Sequence, residues 1–403
     1  APTKNIRLAD PVTYMKLYNE AVLTRNSLQD VPYLPSQIEN TEAGTNPYAY
    51  PATDWEKELF KDYTMNQRLN FNITGGGKVA NYYLAGTYNV DHGVLKVPRI
   101  SNFNNNIDLK TYLLRSNVNI HVTKTTEVGI KLYGSFDDYT GPIDGGTALY
   151  NQVMRTAPTL FPAYFPKDSE HRFAQHILFG NSGDGDYINP YANMVKGYRT
   201  YSKSLMLAQF ELKQDLNFIT EGLSLRGMFN TTRRAYSSVS RSYSPYFYDV
   251  GFYNKLTDSY ILNLINENEG TEYLGYSEAP RNVSSSTYIE AAANYNRSYG
   301  KSEVGVMAVL QLTNQIDSLI GSLQQTLPHR DIGLSGRVSY AYDHRYFWEF
   351  DFGYTGSERF YKDKRFGFFP SVGLAWNVSN EKFWEPLKST ISDLKLRGTY
   401  GLV

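Results

Sequence analysis

Hydrophobic and polar residues alternate along most of this chain with a period of two. In EVGIKLYGSF, residues 127–136, Ile130 and Leu132 share the apolar parity, whereas Glu127 and Lys131 share the polar one. Because successive side chains of a β-strand point to opposite faces, this period predicts a strand with one apolar and one polar face.

The same alternation predicts twelve strands in all. Their approximate ranges are 66–73, 81–90, 109–122, 127–136, 204–217, 223–234, 287–297, 302–315, 330–343, 346–358, 365–378 and 394–403.

The polar parity of these strands carries full charges and not only serine and threonine. In the strand predicted at 204–217, Glu211, Lys213 and Asp215 oppose an apolar row. A closed hydrophobic core does not accommodate such charges, whereas a water-filled lumen does. We therefore predict that the apolar parity, Ile130 included, contacts lipid and that the charged parity faces water.

The connections between the predicted strands alternate between short and long. The long ones cover about residues 91–108, 137–203, 235–286 and 316–329, and the short ones include TGGGKVAN, TKTT and SYGK. Consecutive antiparallel strands place alternate connections at opposite ends, so the tight turns are predicted at one end and the long loops at the other. That layout is typical of outer-membrane barrels.

Two later links depart from this alternation. The link at 359–364 is brief where a long one is expected, and the link at 379–393 is long where a tight turn is expected. A small helix around Phe383 and Trp384 is one interpretation of the second link.

The first 65 residues differ from the rest of the chain. Spacing and capping residues predict a helix at 10–26, with Asp10 as N-cap and Pro11 at the first helical position, and a shorter helix at 53–63. We therefore expect a helical and irregular segment, 1–65, that leads into strands and long loops over 66–403.

Composition narrows the class further. The 403 residues include 35 tyrosines, which suit strands and surfaces with one apolar and one wet side. Lys plus Arg equals Asp plus Glu at 40 each, so charge indicates no nucleic-acid partner, and the lack of Cys excludes thiolate metal sites. The favoured fold is all-β, a transmembrane antiparallel β-barrel with short N-terminal helices; a soluble β-sandwich is the alternative.

Several phrases resemble a known family, the SusC/RagA-type TonB-dependent transporters. They are YPATDWEKELF (51–61), FNITGGGKVANYYLAGTYNVDHGVLK (71–96), LPHRDIGLSGRVSYAYDHRYFWEFDFGYTGSERF (327–360), KRFGFFPSVGLAWNVSNEKFW (364–384) and LKLRGTYGLV (394–403). The resemblance covers nearly the whole chain, and the combination of phrases is more specific than any one of them.

The resemblance implies a multi-pass barrel in the outer membrane of a Gram-negative, Bacteroidetes-like cell, surrounded by outer-membrane lipid. Proteins of this family import oligosaccharides or peptides together with a SusD-like surface lipoprotein, and they draw energy from TonB. It implies neither enzyme activity nor a cofactor. Plugged transporters close with about 22 strands, so we expect the chain to be a central barrel fragment without the plug, unable to transport alone.

Candidate catalytic or metal-binding groups are few. His171 and His176 are five residues apart, which is unsuitable for two ligands on one helix face, so neither a metal site nor catalytic residues are predicted. TGGGK (74–78) lacks the spacing of a phosphate-binding loop and is predicted to be a hairpin turn.

Candidate substrate contacts lie in the loop segment GNSGDGDYINPYAN. Asp184 and Asp186 are flanked by glycines, as at the start of a calcium loop, but later ligands are missing. Tyr187 and Tyr191 have flat faces with a hydroxyl edge that suit sugar rings or peptide side chains. The favoured alternatives are a polar loop tip for the two aspartates and packing within the loop for the two tyrosines. In the same loop, LYNQVMR (149–155) is a possible short helix.

Two other functions stay open at this point. A soluble β-rich carbohydrate-binding module would use the same aromatic residues, and a passive porin would use the same barrel. Partitioning into detergent distinguishes the first, and the presence of a plug domain the second. Neither charge nor loop composition distinguishes a glycan from a peptide substrate.

Overall fold

We describe a computed structural model of the chain, in which residues 8–98, 101–183, 188–318 and 321–402 are described. Most of the chain forms strands. They are β1 (Gln67–Gly76), β2 (Ala80–His92), β3 (Asp108–His121), β4 (Thr126–Gly141), β5 (Tyr164–Phe165), β6 (Leu178–Gly180), β7 (Gly197–Asp215), β8 (Leu223–Ser242), β9 (Phe247–Asn254), β10 (Ser259–Leu264), β11 (Gly275–Glu278), β12 (Asn282–Tyr299), β13 (Ser302–Asp317), β14 (His329–Tyr342), β15 (Tyr346–Ser357), β16 (Phe366–Asn377) and β17 (Lys395–Gly401).

The helices are short and lie outside the strand regions. They are α1 (Pro11–Arg25), α2 (Pro35–Ala43), α3 (Trp55–Leu59), α4 (Gly145–Arg155), α5 (Pro190–Val195) and α6 (Leu323–Thr326). None of the helices in the described part of the chain has the length and apolar character needed to cross a bilayer.

The N-terminal helices begin where their capping residues predict. The Asp10 carboxylate accepts a hydrogen bond from the Thr13 amide at 3.0 Å and starts α1, while Asp54 accepts one from the Lys57 amide at 3.0 Å and starts α3. The sequence did not predict α2, and α3 is shorter than the helix expected at 53–63.

A single antiparallel sheet of 13 strands forms the body of the molecule, in the order β1-β2-β3-β4-β7-β8-β12-β13-β14-β15-β16-β17, with β11 paired to β8. These twelve sequential strands are those predicted from the alternation. β4, β7, β8 and β12 are several residues longer than predicted on the side of the long connections. The large loops are therefore residues 142–196 and 243–281, not 137–203 and 235–286.

Most short connections lie at one end of the sheet and most long ones at the other, and we call these the short-turn end and the long-loop end. The exceptions are the brief link 358–365 at the long-loop end and the long link 378–394 at the short-turn end. At the short-turn end, β14 and β15 are joined through Asp343 and His344, both with positive φ, at 49° and 53°. That geometry belongs to two-residue turns whose twist matches the strands. The predicted turn at TGGGK joins β1 to β2, and Lys382–Leu387 forms a 3-10 helix around Phe383 and Trp384.

The sheet has an apolar face and a charged face, because directly opposed residues of neighbouring strands point to the same side. On the apolar face Leu132 lies opposite Ala208, and Ile130 lies opposite Phe210. Leu132 is 48% exposed and Trp348 is 39% exposed. The two faces predicted from the sequence are therefore present. No described residues cover the apolar face.

The hydrophobic core lies beside the sheet, in the long connections. We call residues 142–196 and 243–281 the cap. Within it β10, β9, β6 and β5 form a second, four-stranded sheet, in which β6 and β9 run parallel. Of the hydrophobic residues described in the main sheet, Val90 and Ala292 alone are buried, whereas most other buried ones belong to the cap or the N-terminal segment.

Candidate functional site

Cross-strand ion pairs cover the charged face of the main sheet. Arg337 of β14 donates to Asp351 of β15 at 2.7 Å, and Lys131 of β4 lies 3.4 Å from Glu211 of β7. The pairs sit where the alternation predicts polar residues, so this face is suited to water and to polar solutes.

Glu290 of β12 is the most enclosed carboxylate of that face, at 9% exposure. Arg226 of β8 pairs with one of its oxygens, and the Tyr288 hydroxyl donates to the other at 2.7 Å. Tyr288 lies on the same face as Glu290 because residues two apart in a strand point to the same side. Arg226 shares this face because it lies directly opposite Ala292, two residues from Glu290.

The N-terminal segment is fastened to the cap. Trp55 of α3 is 3% exposed, its ring lies 5.7 Å from that of Phe161, and its indole nitrogen donates to the Ala157 carbonyl at 3.3 Å. The Thr53 hydroxyl donates to the Phe161 carbonyl at 2.9 Å. The cap therefore has its own packed core, closed partly by residues that precede the first strand.

A histidine–carboxylate cluster joins three segments of the cap. His171 Nδ1 lies 2.8 Å from Asp168 Oδ1, and His176 Nδ1 lies 2.8 Å from Glu272 Oε1. Tyr248 of β9 lies between the histidines: its hydroxyl is 2.8 Å from His176 Nε2, and its ring meets the His171 ring edge-on at 5.2 Å. These contacts hold residues 168–176 against β9 and against the segment that contains Glu272.

The environment of the cluster shifts several ionisation equilibria. The hydrogen bond from His176 lowers the pKa of Glu272. Burial acts to raise the pKa of Asp168, but the backbone and side-chain hydrogen bonds of His171 outweigh it, and the pKa is lowered. Burial, reinforced by the nearby Tyr246, raises the pKa of Tyr248 to about 12. The cluster therefore combines ionised carboxylates with a neutral phenol at neutral pH.

The predicted substrate contacts separate in the structure. Asp184, Asp186 and Tyr187 lie outside the described residues. Tyr191, in α5, is 5% exposed, and its ring packs 5.3 Å from that of Tyr164; burial raises the pKa of its hydroxyl. The structure gives Tyr191 a packing role, and substrate binding by this residue stays a prediction.

The sequence did not single out Asp168, Tyr248 or Glu272. Glu272 is 96 residues from His176 and Tyr248 is 72 residues from it, and a local pattern carries no sign of such contacts. Among the residues that the structure describes, no group of three or more His, Asp or Glu side chains is arranged to hold a metal ion.

Sequence comparison finds relatives among TonB-dependent receptors. TonB-dependent receptor P3 of Formosa agariphila is 27% identical over 410 residues, which cover 94% of this chain and 37% of the receptor. TonB-dependent receptor SusC of Bacteroides thetaiotaomicron is 23% identical over 378 residues, which cover 87% and 34%. The chain thus spans little more than a third of these relatives. No family model matches it.

Comparison with solved structures gives the same fold. The RagAB peptide transporter matches with a TM-score of 0.57 and 15% identity, over 98% of this chain and 44% of that one. The RagAB peptide importer in its open-open state matches with a TM-score of 0.55 and 15% identity, over 97% and 40%. The predicted fold, part of a transmembrane antiparallel barrel, is confirmed, as is the resemblance to SusC/RagA-type receptors.

Proposed function

We propose that this chain is the central barrel part of a TonB-dependent receptor that imports a nutrient across the outer membrane of a Gram-negative bacterium. The observation that carries the proposal is the sheet, which exposes a continuous apolar face on one side and ion pairs on the other. Among sheets, only a closed barrel satisfies all backbone hydrogen bonds within a bilayer, and the open edges at β1 and β17 suit pairing with further strands of such a barrel.

The cargo we propose is an oligosaccharide or a peptide, held on the extracellular side between the cap and a SusD-like lipoprotein. The cap lies at the long-loop end, where such barrels have their extracellular loops. The similarity to TonB-dependent receptor SusC and to the RagAB peptide transporter supports this pairing. TonB would then drive release inward, through a part of the receptor outside this sequence. In this proposal the receptor binds and moves its cargo without altering it chemically.

A loop replacement in the complete receptor tests the role of the cap. Replacing residues 142–196 with a short Gly-Ser linker should abolish binding of the cargo and of the lipoprotein while the barrel still inserts. The matched control shortens the connection 216–222, at the opposite end, and should leave both bindings unchanged. Binding at the wild-type level after the cap replacement would remove the cap from the mechanism.

A growth experiment tests the import function itself. Deleting the gene for the complete receptor should abolish growth on the cognate glycan or peptide as sole source, and deleting TonB should have the same effect. Growth that needs the receptor but not TonB would support a passive porin instead. Recovery of the receptor in the buffer fraction would support the soluble module.

A further inference from the structure

We propose that the apolar face carries a binding groove for a phosphate-bearing lipid of the outer leaflet, with Arg233 as the phosphate ligand. The inference rests on the proposed function, because it requires the apolar face to lie in a membrane. It goes beyond that function because it concerns a lipid that is not transported.

Arg233 is a charged residue on the apolar face of the sheet. It lies directly opposite Met206 and Ser285, which places it on the apolar side of β8. Its side chain is exposed and, among the described residues, has no hydrogen bond, ion pair or ring contact. An arginine on a lipid-facing surface is unfavourable in hydrocarbon and is tolerated only near the interface.

A cross-strand row of residues leads from the middle of the apolar face to Arg233. Each member lies directly opposite the next across neighbouring strands. The row consists of Phe71, Gly86, Leu114, Gly134, Met206 and Arg233.

The row is concave. All of its members except Gly86 line, with their neighbours Leu84 and Leu132, an open cavity of about 660 Å³, and Arg233 stands at one end. Gly134 has no side chain to fill the space, whereas the Phe71 ring lies over Gly86. The cavity is therefore a groove with apolar walls and one cationic end, which we call the outer groove.

The outer groove extends along the barrel axis by about the thickness of one leaflet. Five steps of about 4.8 Å between strands make the row roughly 24 Å long, and strands tilted by about 40° make it climb on the order of 15 Å along the barrel axis. Half of a hydrocarbon core of about 30 Å has the same thickness.

The end of the outer groove that carries Arg233 is the one nearer to the long-loop end of the sheet. Phe71 lies about five residues from the short-turn end of β1, whereas Arg233 lies about ten residues from that end of β8. An acyl chain in the groove would therefore start near the bilayer centre and bring its headgroup to Arg233 at the long-loop boundary.

The positive charge of Arg233 determines which lipid headgroup the outer groove would bind. An arginine fork binds phosphate through two parallel hydrogen bonds, and no carboxylate of the described chain competes for it. Arg330 of β14 provides the contrast: it lies on the same face near the same end but pairs with Glu358 at 3.6 Å. Because no carboxylate neutralises Arg233, a lipid with net negative charge should be preferred over a zwitterionic one, whose own ammonium already balances its phosphate.

Native mass spectrometry of the delipidated complete receptor in detergent tests the proposal, with dimyristoyl phosphatidic acid as the probe. The wild type should retain this lipid in preference to dimyristoyl phosphatidylcholine and to inorganic phosphate. Arg233→Gln should weaken its binding at least about tenfold, as expected for a lost hydrogen-bonded charge. Arg330→Gln, the matched control, should bind as the wild type does.

A second variant tests the groove separately from the charge. Ala208→Phe adds a ring beside Leu132 and keeps Arg233, so it should also weaken binding of phosphatidic acid, and it decides the question if Arg233→Gln does not insert. Wild-type binding by Ala208→Phe, or equal retention of the two lipids, would overturn the proposal. If the receptor folds and imports but gives either of these two results, the groove proposal alone is refuted. If the receptor never enters the membrane, the proposed function is refuted as well.

Discussion

Phe179 of β6 illustrates what single residues do in the cap. It is fully buried, and its ring lies 6.3 Å from that of Tyr191 and 6.2 Å from that of Phe247. Phe247 is also its cross-strand neighbour in the parallel pair of β6 and β9. One ring therefore links a helix and two strands from two connections that are distant in sequence.

Phe179→Ala should loosen the cap without affecting the main sheet. Removing a fully buried ring costs about 3–5 kcal/mol, because the surrounding residues collapse only partly into the cavity. Hydrogen exchange of the amides in α4 and α5 measures the effect. Phe252→Ala is the matched control, since Phe252 is 60% exposed in the same small sheet. Equal loss of protection in the two variants would contradict the packing role.

The ionisation of Glu272 makes the stability of the cap depend on pH. Its hydrogen bond from His176 lowers its pKa below the ordinary value of 4.5. A carboxyl whose folded pKa lies below its unfolded pKa contributes stability that is fully present above the unfolded value and is lost as the pH falls through the folded one. The cap should therefore hold residues 168–176 at neutral pH and release them in acid.

Glu272→Gln should flatten this response. Hydrogen exchange of residues 168–176, corrected for the intrinsic rate, should rise in the wild type as the pH falls below the ordinary glutamate pKa of 4.5 and change less in the variant. Glu267→Gln, at an exposed position in the same connection, should behave as the wild type. A steep response that survives Glu272→Gln would assign the effect to Asp168 instead.

Residue roles in the cap were the least predictable from sequence. The tyrosine-rich composition marks the loops as aromatic, but it does not say which rings face inward, and Tyr191 proved to be buried. The reason is physical: the partners that enclose such a ring come from segments tens of residues away.

At the level of elements, the alternation predicted all twelve sequential strands because each has one apolar face. It stopped short of the long-loop end in β4, β7, β8 and β12. Their outer portions carry polar residues on both faces, as the serines of 235–242 in β8 do, so ladder hydrogen bonds hold them together without a strict hydrophobic alternation. The small sheet of the cap was not predicted, since β6 and β9 pair across more than sixty residues.

The pair of Arg226 and Glu290 tests how strand pairing depends on the charged face. Arg226→Ala leaves Glu290 enclosed with only the Tyr288 hydroxyl, and we expect a loss of about 1–3 kcal/mol. Changing both Arg226 and Glu290 to Ala should be milder, because no unpaired charge remains. Urea unfolding in vesicles, followed by heat-modifiable migration, measures both.

Arg337→Ala supplies the matched comparison. Its partner Asp351 is 34% exposed, so water replaces the lost contact and the cost should stay within about 1 kcal/mol. Similar losses for Arg226→Ala and Arg337→Ala would show that the enclosure of Glu290 has no energetic consequence.

For the molecule as a whole, the location of the core connects fold to function. A water-soluble protein of this size would bury the apolar face of its largest sheet, whereas here the core lies in the cap and the apolar face is bare. The unpaired edges of β1 and β17 and the coverage of little more than a third of the receptor relatives agree with a part of a larger barrel.

Trp348 and Trp55 report on the two environments that this arrangement requires. Trp348 is 39% exposed on the apolar face of β15, while Trp55 is 3% exposed beside the cap. The experiment uses two variants of the complete receptor, each with all tryptophans but Trp348 or Trp55 changed to phenylalanine. Brominated acyl chains should quench the fluorescence of Trp348 strongly, because bromine quenches rings that it contacts. Trp55 should keep its emission, because the cap lies beyond the hydrocarbon. Unquenched Trp348 in a folded, vesicle-bound receptor would mean that protein and not lipid covers the apolar face.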